Sequence, residues 1–135
     1  MIKKIIFSLV LIVVAMTSAY FVHAQDVKHK TFATYDEIVA QKKPGIIYFY
    51  SETCTYCNDV FPIYKSLSKE FRNKFMFGVA DVYDKNTQPL ASKLRVRTIP
   101  AIYIYNSKNH KFTKIPVYMY HEDGLRQVFA KYSEG

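Results

Sequence analysis

Cysteine is scarce in this sequence: Cys54 and Cys57 are the only two among 135 residues. A structural zinc site needs about four ligands, and neither a second cysteine pair nor a closely spaced histidine pair is there to complete one. No cysteine follows the apolar N-terminal run, which excludes a bacterial lipid anchor at that place. Basic residues outnumber acidic ones, giving a net charge of +8, yet they never gather into one run and acids interrupt them. That scatter argues for a solvated face with some preference for acidic partners rather than for a nucleic-acid surface. His29, His110 and His121 fall in expected loops or termini and read as surface residues. Internal repeats, low-complexity tracts and linkers are also lacking, so the length suits one domain with enough apolar residues for a real core.

The N-terminus has its own character. Lys3-Lys4 precedes an apolar run from Ile5 to Met16 broken only by Ser8, and Val22-His23-Ala24 supplies small residues ahead of Gln25. This is the pattern of a secretory signal peptide. Residues 1–24 are expected to be removed and residues 25–135 to form the domain. A cut after Ala19 obeys the same rule. The alternative is an uncleaved anchor with the domain facing the periplasm, since Ile5 to Val22 just reaches spanning length; Thr17, Ser18 and Ala19 weaken its far end. Removal would take away Lys3 and Lys4 and no acid, leaving +6. A periplasmic location agrees with the cysteines, because a dithiol outside the cytoplasm meets an oxidising compartment.

The cysteines stand in Ser51-Glu52-Thr53-Cys54-Thr55-Tyr56-Cys57, directly after the apolar run Ile46 to Tyr50. That run reads as a short strand covered on both faces. Beyond it Val60, Tyr64, Leu67 and Phe71 recur at helical spacing. The pair is therefore expected where a strand ends and a helix begins. Helix residues three apart share a face, so both sulfurs can meet. A helix start also offers unpaired N–H groups and the positive end of the dipole, which lower a thiol below its free value of about 8.5. Reversible dithiol–disulfide chemistry follows from that placement. A purely structural disulfide would constrain the unfolded chain little across so small a loop, and polar Thr53, Thr55 and Tyr56 argue against two unrelated buried thiols.

The remaining elements follow in order. Thr34 to Glu37 has the form of a capping box, opening a helix that Pro44-Gly45 stops. The cysteine helix is expected to run to about Lys74 with a kink at Pro62. A strand from Phe75 to Tyr83 contains Asp81, and a short helix from Asn86 to Leu94 buries Leu90, Ala91 and Leu94. Ala101 to Tyr105 and Phe112 to Tyr120 are strands joined by a polar turn, the second at an edge because Pro116 removes a donor. A final helix after Gly124 shows a stripe of Leu125, Val128, Phe129 and Tyr132. With a short strand near Val27 to Phe32, the order is that of an α/β domain: crossover helices between parallel strands, then an antiparallel hairpin.

A strand feeding Cys54-Thr55-Tyr56-Cys57, Pro62 five residues after the second cysteine, and Val96-Arg97-Thr98-Ile99-Pro100 opening a strand together resemble the thioredoxin family over roughly residues 27–132. The resemblance implies a thioredoxin fold, a central mixed sheet of four to five strands flanked by helices on both faces. It implies Cys54 as nucleophile, Cys57 as the thiol that resolves the mixed disulfide, and a cis Ile99-Pro100 bond facing them. Thr98, Ile99 and Pro100, with Thr53, Thr55 and Tyr56, would line the substrate groove. The physics agrees, since a first-turn thiolate is the favoured one and an exposed backbone beside Ile99 can pair with an extended chain. The sequence departs from the family in carrying Thr53 where tryptophan usually precedes the first cysteine and Thr55-Tyr56 in place of Gly-Pro. It also has Tyr48 where the family's buried acid would fall. Asp81, on the neighbouring strand, is then the candidate acceptor for the Cys57 proton, or else a strand-end acid paired to a lysine.

The functional expectation is thiol–disulfide exchange with exported proteins that carry disulfides or thiols, by a monomer with no bound cofactor and no nucleic-acid partner. A mature chain short of a dimerisation domain, and no helical insertion between Tyr83 and Ile99, favour a reductase fed by a membrane electron donor over an oxidase or isomerase. Two other classes compete: a non-catalytic binding module whose disulfide stays closed, and a copper(I)-handling dithiol, which soft thiolates permit.

Overall fold

The computed structural model describes residues 2–10, 34–40 and 42–134. They fall into two units, one within Met1–Thr31 and one spanning Phe32–Gly135. In the first, residues 2–10 are helical and exposed. No helix among the described residues is long and apolar enough to cross a membrane. The expected strand near Val27 to Phe32 and both cleavage points lie outside the described residues.

The second unit opens with helix α1, Tyr35–Ala40. Its capping box forms: Glu37 Oε2 accepts the Thr34 N–H at 2.7 Å while Thr34 Oγ1 accepts the Glu37 N–H at 3.3 Å. Strand β1, Gly45–Tyr50, follows. Gly45 is required by packing, because a Cβ there would overlap the Ile38 Cγ2 methyl. Next come α2, Thr55–Glu70, and β2, Met76–Asp81. Then α3, Gln88–Lys93, leads through the Ile99-Pro100 segment into β3, Ala101–Asn106. Strand β4, Lys111–Lys114, a single 3-10 turn at Val117–Met119 and helix α4, Glu122–Ser133, complete the unit.

The sheet order is β2-β1-β3-β4, with β1 parallel to β2 and antiparallel to β3, and β3 antiparallel to β4. It is the mixed four-stranded sheet of a thioredoxin fold, helices on both faces. Alternation along β1 sorts its side chains. Ile46 and Tyr48 join Val60, Tyr64 and Leu67 of α2 and Leu125 and Phe129 of α4. Ile47 and Phe49 face the other way, toward Ile38 of α1 and Leu90 of α3. Fully burying one such side chain contributes about 1.5–3 kcal/mol, so β1, like β3, is anchored on both faces.

Several expected boundaries shift. Helix α2 stops at Glu70 rather than near Lys74: the Phe71 N–H still reaches Leu67, but residues 71–74 tighten into a turn that packs Phe71 and Phe75 against Phe129. β2 ends at Asp81, where the Asp84 N–H bonds back to the Asp81 carbonyl. The strand expected through Tyr120 ends at Lys114. Ile115 still donates to Ile102, but Pro116 has no N–H to offer and the chain turns away. The link through α3 does not give another parallel pair, because β3 enters beside β1 running the opposite way. In α4, Leu125 and Phe129 are buried, whereas Tyr132, assigned to the same stripe, is exposed.

Candidate redox site

Cys54 is the N-cap of α2, with φ −83° and ψ 107°. Its N–H bonds to the Ser51 carbonyl at 3.2 Å, its carbonyl accepts the Asn58 N–H at 3.1 Å, and its Sγ accepts the Cys57 N–H at 3.1 Å. The sulfur thus sits among the donors of the first helical turn, where negative charge is favoured. Cys57 lies one turn on. The two are joined in a disulfide with Cα atoms 5.2 Å apart. Their exposure differs: Cys57 is buried, with 1% of its surface accessible, and Cys54 is partly exposed. Cys54 is therefore the sulfur a large partner can reach.

The Ile99–Pro100 peptide bond is cis, and the Ile99 carbonyl oxygen lies 3.9 Å from Cys54 Sγ. In the disulfide form the sulfur has no proton to donate, so this is a contact. Once reduced, an S–H there would face an acceptor. Ile99 is partly buried, Pro100 buried and Thr98 exposed. Thr53 is exposed, with Oγ1 3.5 Å from Ser51 Oγ, and Thr55 and Tyr56 are exposed in the first turn of α2. The residues around the sulfurs thus present an accessible rim of Thr53, Thr55, Tyr56 and Cys54 over a buried Cys57.

Asp81 is placed elsewhere. It ends β2 opposite Tyr50, and its Oδ1 accepts the Tyr83 N–H at 2.9 Å. Neither cysteine is among its hydrogen-bond partners, and no ion pair with a lysine involves it among the described residues. It lines, with Asp36 and Asp84, a cleft of about 420 Å³ against α1.

The residue that does reach the cysteines is Tyr48. Its hydroxyl donates to the Cys57 carbonyl at 2.7 Å, tying β1 to the first turn of α2. Burial pushes its pKa well above the ordinary value, with nearby Tyr120 and Tyr56 adding to the rise, so it stays a neutral donor. Two further tyrosines fix the surroundings. Tyr64 donates toward the Ile46 and Gly78 carbonyls at 3.0 and 2.7 Å, bridging β1 and β2. Tyr120 Oη accepts the Ile102 N–H at 2.8 Å, beside the start of β3. The sequence hints at the role of Tyr48 alone, a tyrosine within a run read as a strand covered on both faces, since such a hydroxyl needs a partner.

A model of the family described as thioredoxin matches residues 26–127. The chain belongs to the thioredoxin family. Among curated thioredoxins, that of Buchnera aphidicola subsp. Acyrthosiphon pisum is 27% identical over 81 residues, covering 59% of this chain and 72% of its own. That of Rickettsia bellii is 27% identical over 92 residues, covering 68% and 84%. The oxidised thioredoxin of Plasmodium falciparum superposes with a TM-score of 0.60 at 23% identity, over 73% of this chain and 89% of that one. The J-Trx1 fragment of ERdj5 gives 0.65 at 20% identity, covering 75% of this chain and 48% of that longer one. At those identities the two structures attest the fold. A thioredoxin-family domain with a Cys-x-x-Cys disulfide at the head of a helix has the equipment of a thiol–disulfide oxidoreductase. Among the described residues no group of three or more His, Cys, Asp or Glu is arranged to hold a metal ion.

Proposed function

We propose that this protein is an exported thiol–disulfide oxidoreductase that works as a reductase of partner proteins. The observation that carries the reading is the asymmetric pair: a reachable Cys54 sulfur at the helix N-cap beside the Ile99 backbone, and Cys57 sealed beneath it. In the reduced enzyme the Cys54 thiolate attacks one sulfur of a partner disulfide. A Cys54–partner disulfide forms, and the partner's other sulfur departs as a thiolate. Cys57 then gives up its proton to that thiolate or to solvent and attacks Cys54 Sγ. The mixed disulfide breaks, the second partner sulfur leaves, and the enzyme is left in its Cys54–Cys57 disulfide form. Two electrons have passed to the partner, and a membrane-bound donor restores the dithiol.

Export is supported by Lys3-Lys4 and the apolar run behind them. The reductase direction is supported by the short α3 connection, a single helix of six residues between β2 and the Ile99-Pro100 segment. The substrate groove is assigned to Thr98, Ile99 and Pro100 facing Thr53, Thr55 and Tyr56. Asp81 is left out of the chemistry, because its carboxylate already serves the turn after β2. The protein acts as a monomer.

Two measurements test this. Equilibration of the Cys54/Cys57 couple with a dithiothreitol or glutathione buffer is expected to give a potential near about −270 mV; a value near about −120 mV would make it an oxidant. The Cys57→Ser variant is expected to accumulate mixed disulfides through Cys54. A clean monomer without adducts would sink the exchange reading and leave a binding module.

A further inference from the structure

Away from the cysteines, the far edge of the sheet carries a second feature. Among the described residues β4 pairs with β3 alone. The Ile115 N–H donates to the Ile102 carbonyl at 2.8 Å. Backbone groups alternate sides along an antiparallel strand, so Lys111 and Thr113 aim theirs at β3, while Phe112 and Lys114 turn N–H and C=O outward. No hydrogen bond to these outward groups is made among the described residues. Beside this edge lies a cleft of about 180 Å³ lined by Ile104, Ile115, Met119, Val128, Tyr118 and Tyr132. Tyr118 is 77% exposed, far more than an aromatic side chain needs for a polar hydroxyl. Lys114 and Lys131 stand at the same cleft, and Lys111 is exposed at the start of the strand. No acid lines it.

We propose that this edge docks an extended acidic segment of a partner polypeptide. The segment adds as a strand to β4, seats an apolar side chain in the cleft and sets its carboxylates against Lys111, Lys114 and Lys131. Strand addition draws affinity from main-chain hydrogen bonds and specificity from alternate side chains in pockets, and this edge offers both. The sign of the charge selects the occupant. A second copy of this chain would bring its own Lys111 and Lys114 against the same lysines, and like charges opposite one another repel. An anionic lipid surface would satisfy the lysines but offers no row of donors and acceptors to the outward groups of Phe112 and Lys114. An acidic strand satisfies the charge and the backbone together. The docking is independent of the redox reading, since it involves neither cysteine.

The test uses the full chain in its disulfide form and follows backbone amide and side-chain methyl resonances on addition of a blocked hexapeptide of glutamates with one central leucine, which sets glutamates on both faces of the added strand. The amides of Phe112 and Lys114 and the methyls of Val128 are expected to shift. Joint Lys114→Glu and Lys131→Glu replacement is expected to weaken binding by about tenfold or more while leaving the remaining amide spectrum, and hence the fold, unchanged. A peptide of lysines with one central leucine is expected to bind the doubly substituted chain in preference to the native one. Silence at β4, equal binding of both peptides to the native chain, a preference for phosphatidylglycerol vesicles, or pairing of two chains through this edge would each overturn the proposal. If Cys57→Ser yields no adducts but the glutamate peptide still binds, the redox reading alone has failed.

Discussion

The Tyr48 hydroxyl, 2.7 Å from the Cys57 carbonyl, joins the central strand to the first turn of the cysteine helix. Neither partner is open to water, so the bond cannot be exchanged for one to solvent when it is lost. Tyr48→Phe keeps the ring and its packing on Tyr64 and Phe61 and removes the donor alone. The expected loss is about 0.5–1.5 kcal/mol of stability, read from urea unfolding of the disulfide form. An unchanged midpoint would show that the bond contributes nothing to holding the turn.

Alkaline pH is expected to undo the fold through the same group of residues. Burial pushes the Tyr120 pKa up to about 12 from an ordinary 10.0, and raises those of Tyr48 and Tyr64 as well. Above about 10 the unfolded chain loses these protons while the folded chain keeps them, so stability falls as pH rises. The contribution of Tyr120 is complete below about 10 and is lost as pH climbs through about 12. Tyrosinate absorbance near the ultraviolet edge and circular dichroism, followed together, check this. Tyr48, Tyr64 and Tyr120 are expected to ionise only as the dichroism collapses.

Gly45→Ala places a methyl where Ile38 Cγ2 already sits. Ile38 is completely buried and belongs to the cluster holding α1 on the sheet, so it cannot swing aside into solvent. Overpacking of this kind costs about 1–3 kcal/mol. Thermal unfolding measures it, and the paired variant Gly45→Ala with Ile38→Leu, which has no branch at Cβ and so removes the overlapping Cγ2 methyl, is expected to recover part of the loss.

Asp81→Asn is expected to leave the pH dependence of disulfide exchange where it was. An asparagine oxygen can still accept the Tyr83 N–H, so the turn after β2 survives without its charge. Stopped-flow reduction of a model disulfide across pH gives the answer. A displaced profile in the variant would return Asp81 to the role of proton acceptor for Cys57.

The parts of this fold written in local patterns were readable in advance. The Thr34–Glu37 box, the buried run of β1 and the opening of α2 at the cysteines each depend on residues within a turn of one another. Element ends were less legible. The stretch Phe71 to Lys74 continues a helical pattern in sequence, yet it turns early because Phe71 and Phe75 both find Phe129, more than fifty residues away. The antiparallel entry of β3 is likewise a long-range choice. At the site, the cysteine spacing was explicit, whereas the tyrosine hydroxyls were silent: the partners of Tyr48, Tyr64 and Tyr120 lie nine to eighteen positions away.

The chain has no tryptophan, and its rings run in edge and tilted contacts from Tyr48 through Tyr64 and Phe77 to Phe129. Its near-ultraviolet dichroism is therefore expected from tyrosine and phenylalanine rings together with the Cys54–Cys57 disulfide, with no indole contribution. At one end of the array the Tyr48 hydroxyl donates to the Cys57 backbone carbonyl. Opening of the disulfide is expected to change this spectrum through loss of the disulfide band, so the redox state can be followed without a label or an added chromophore.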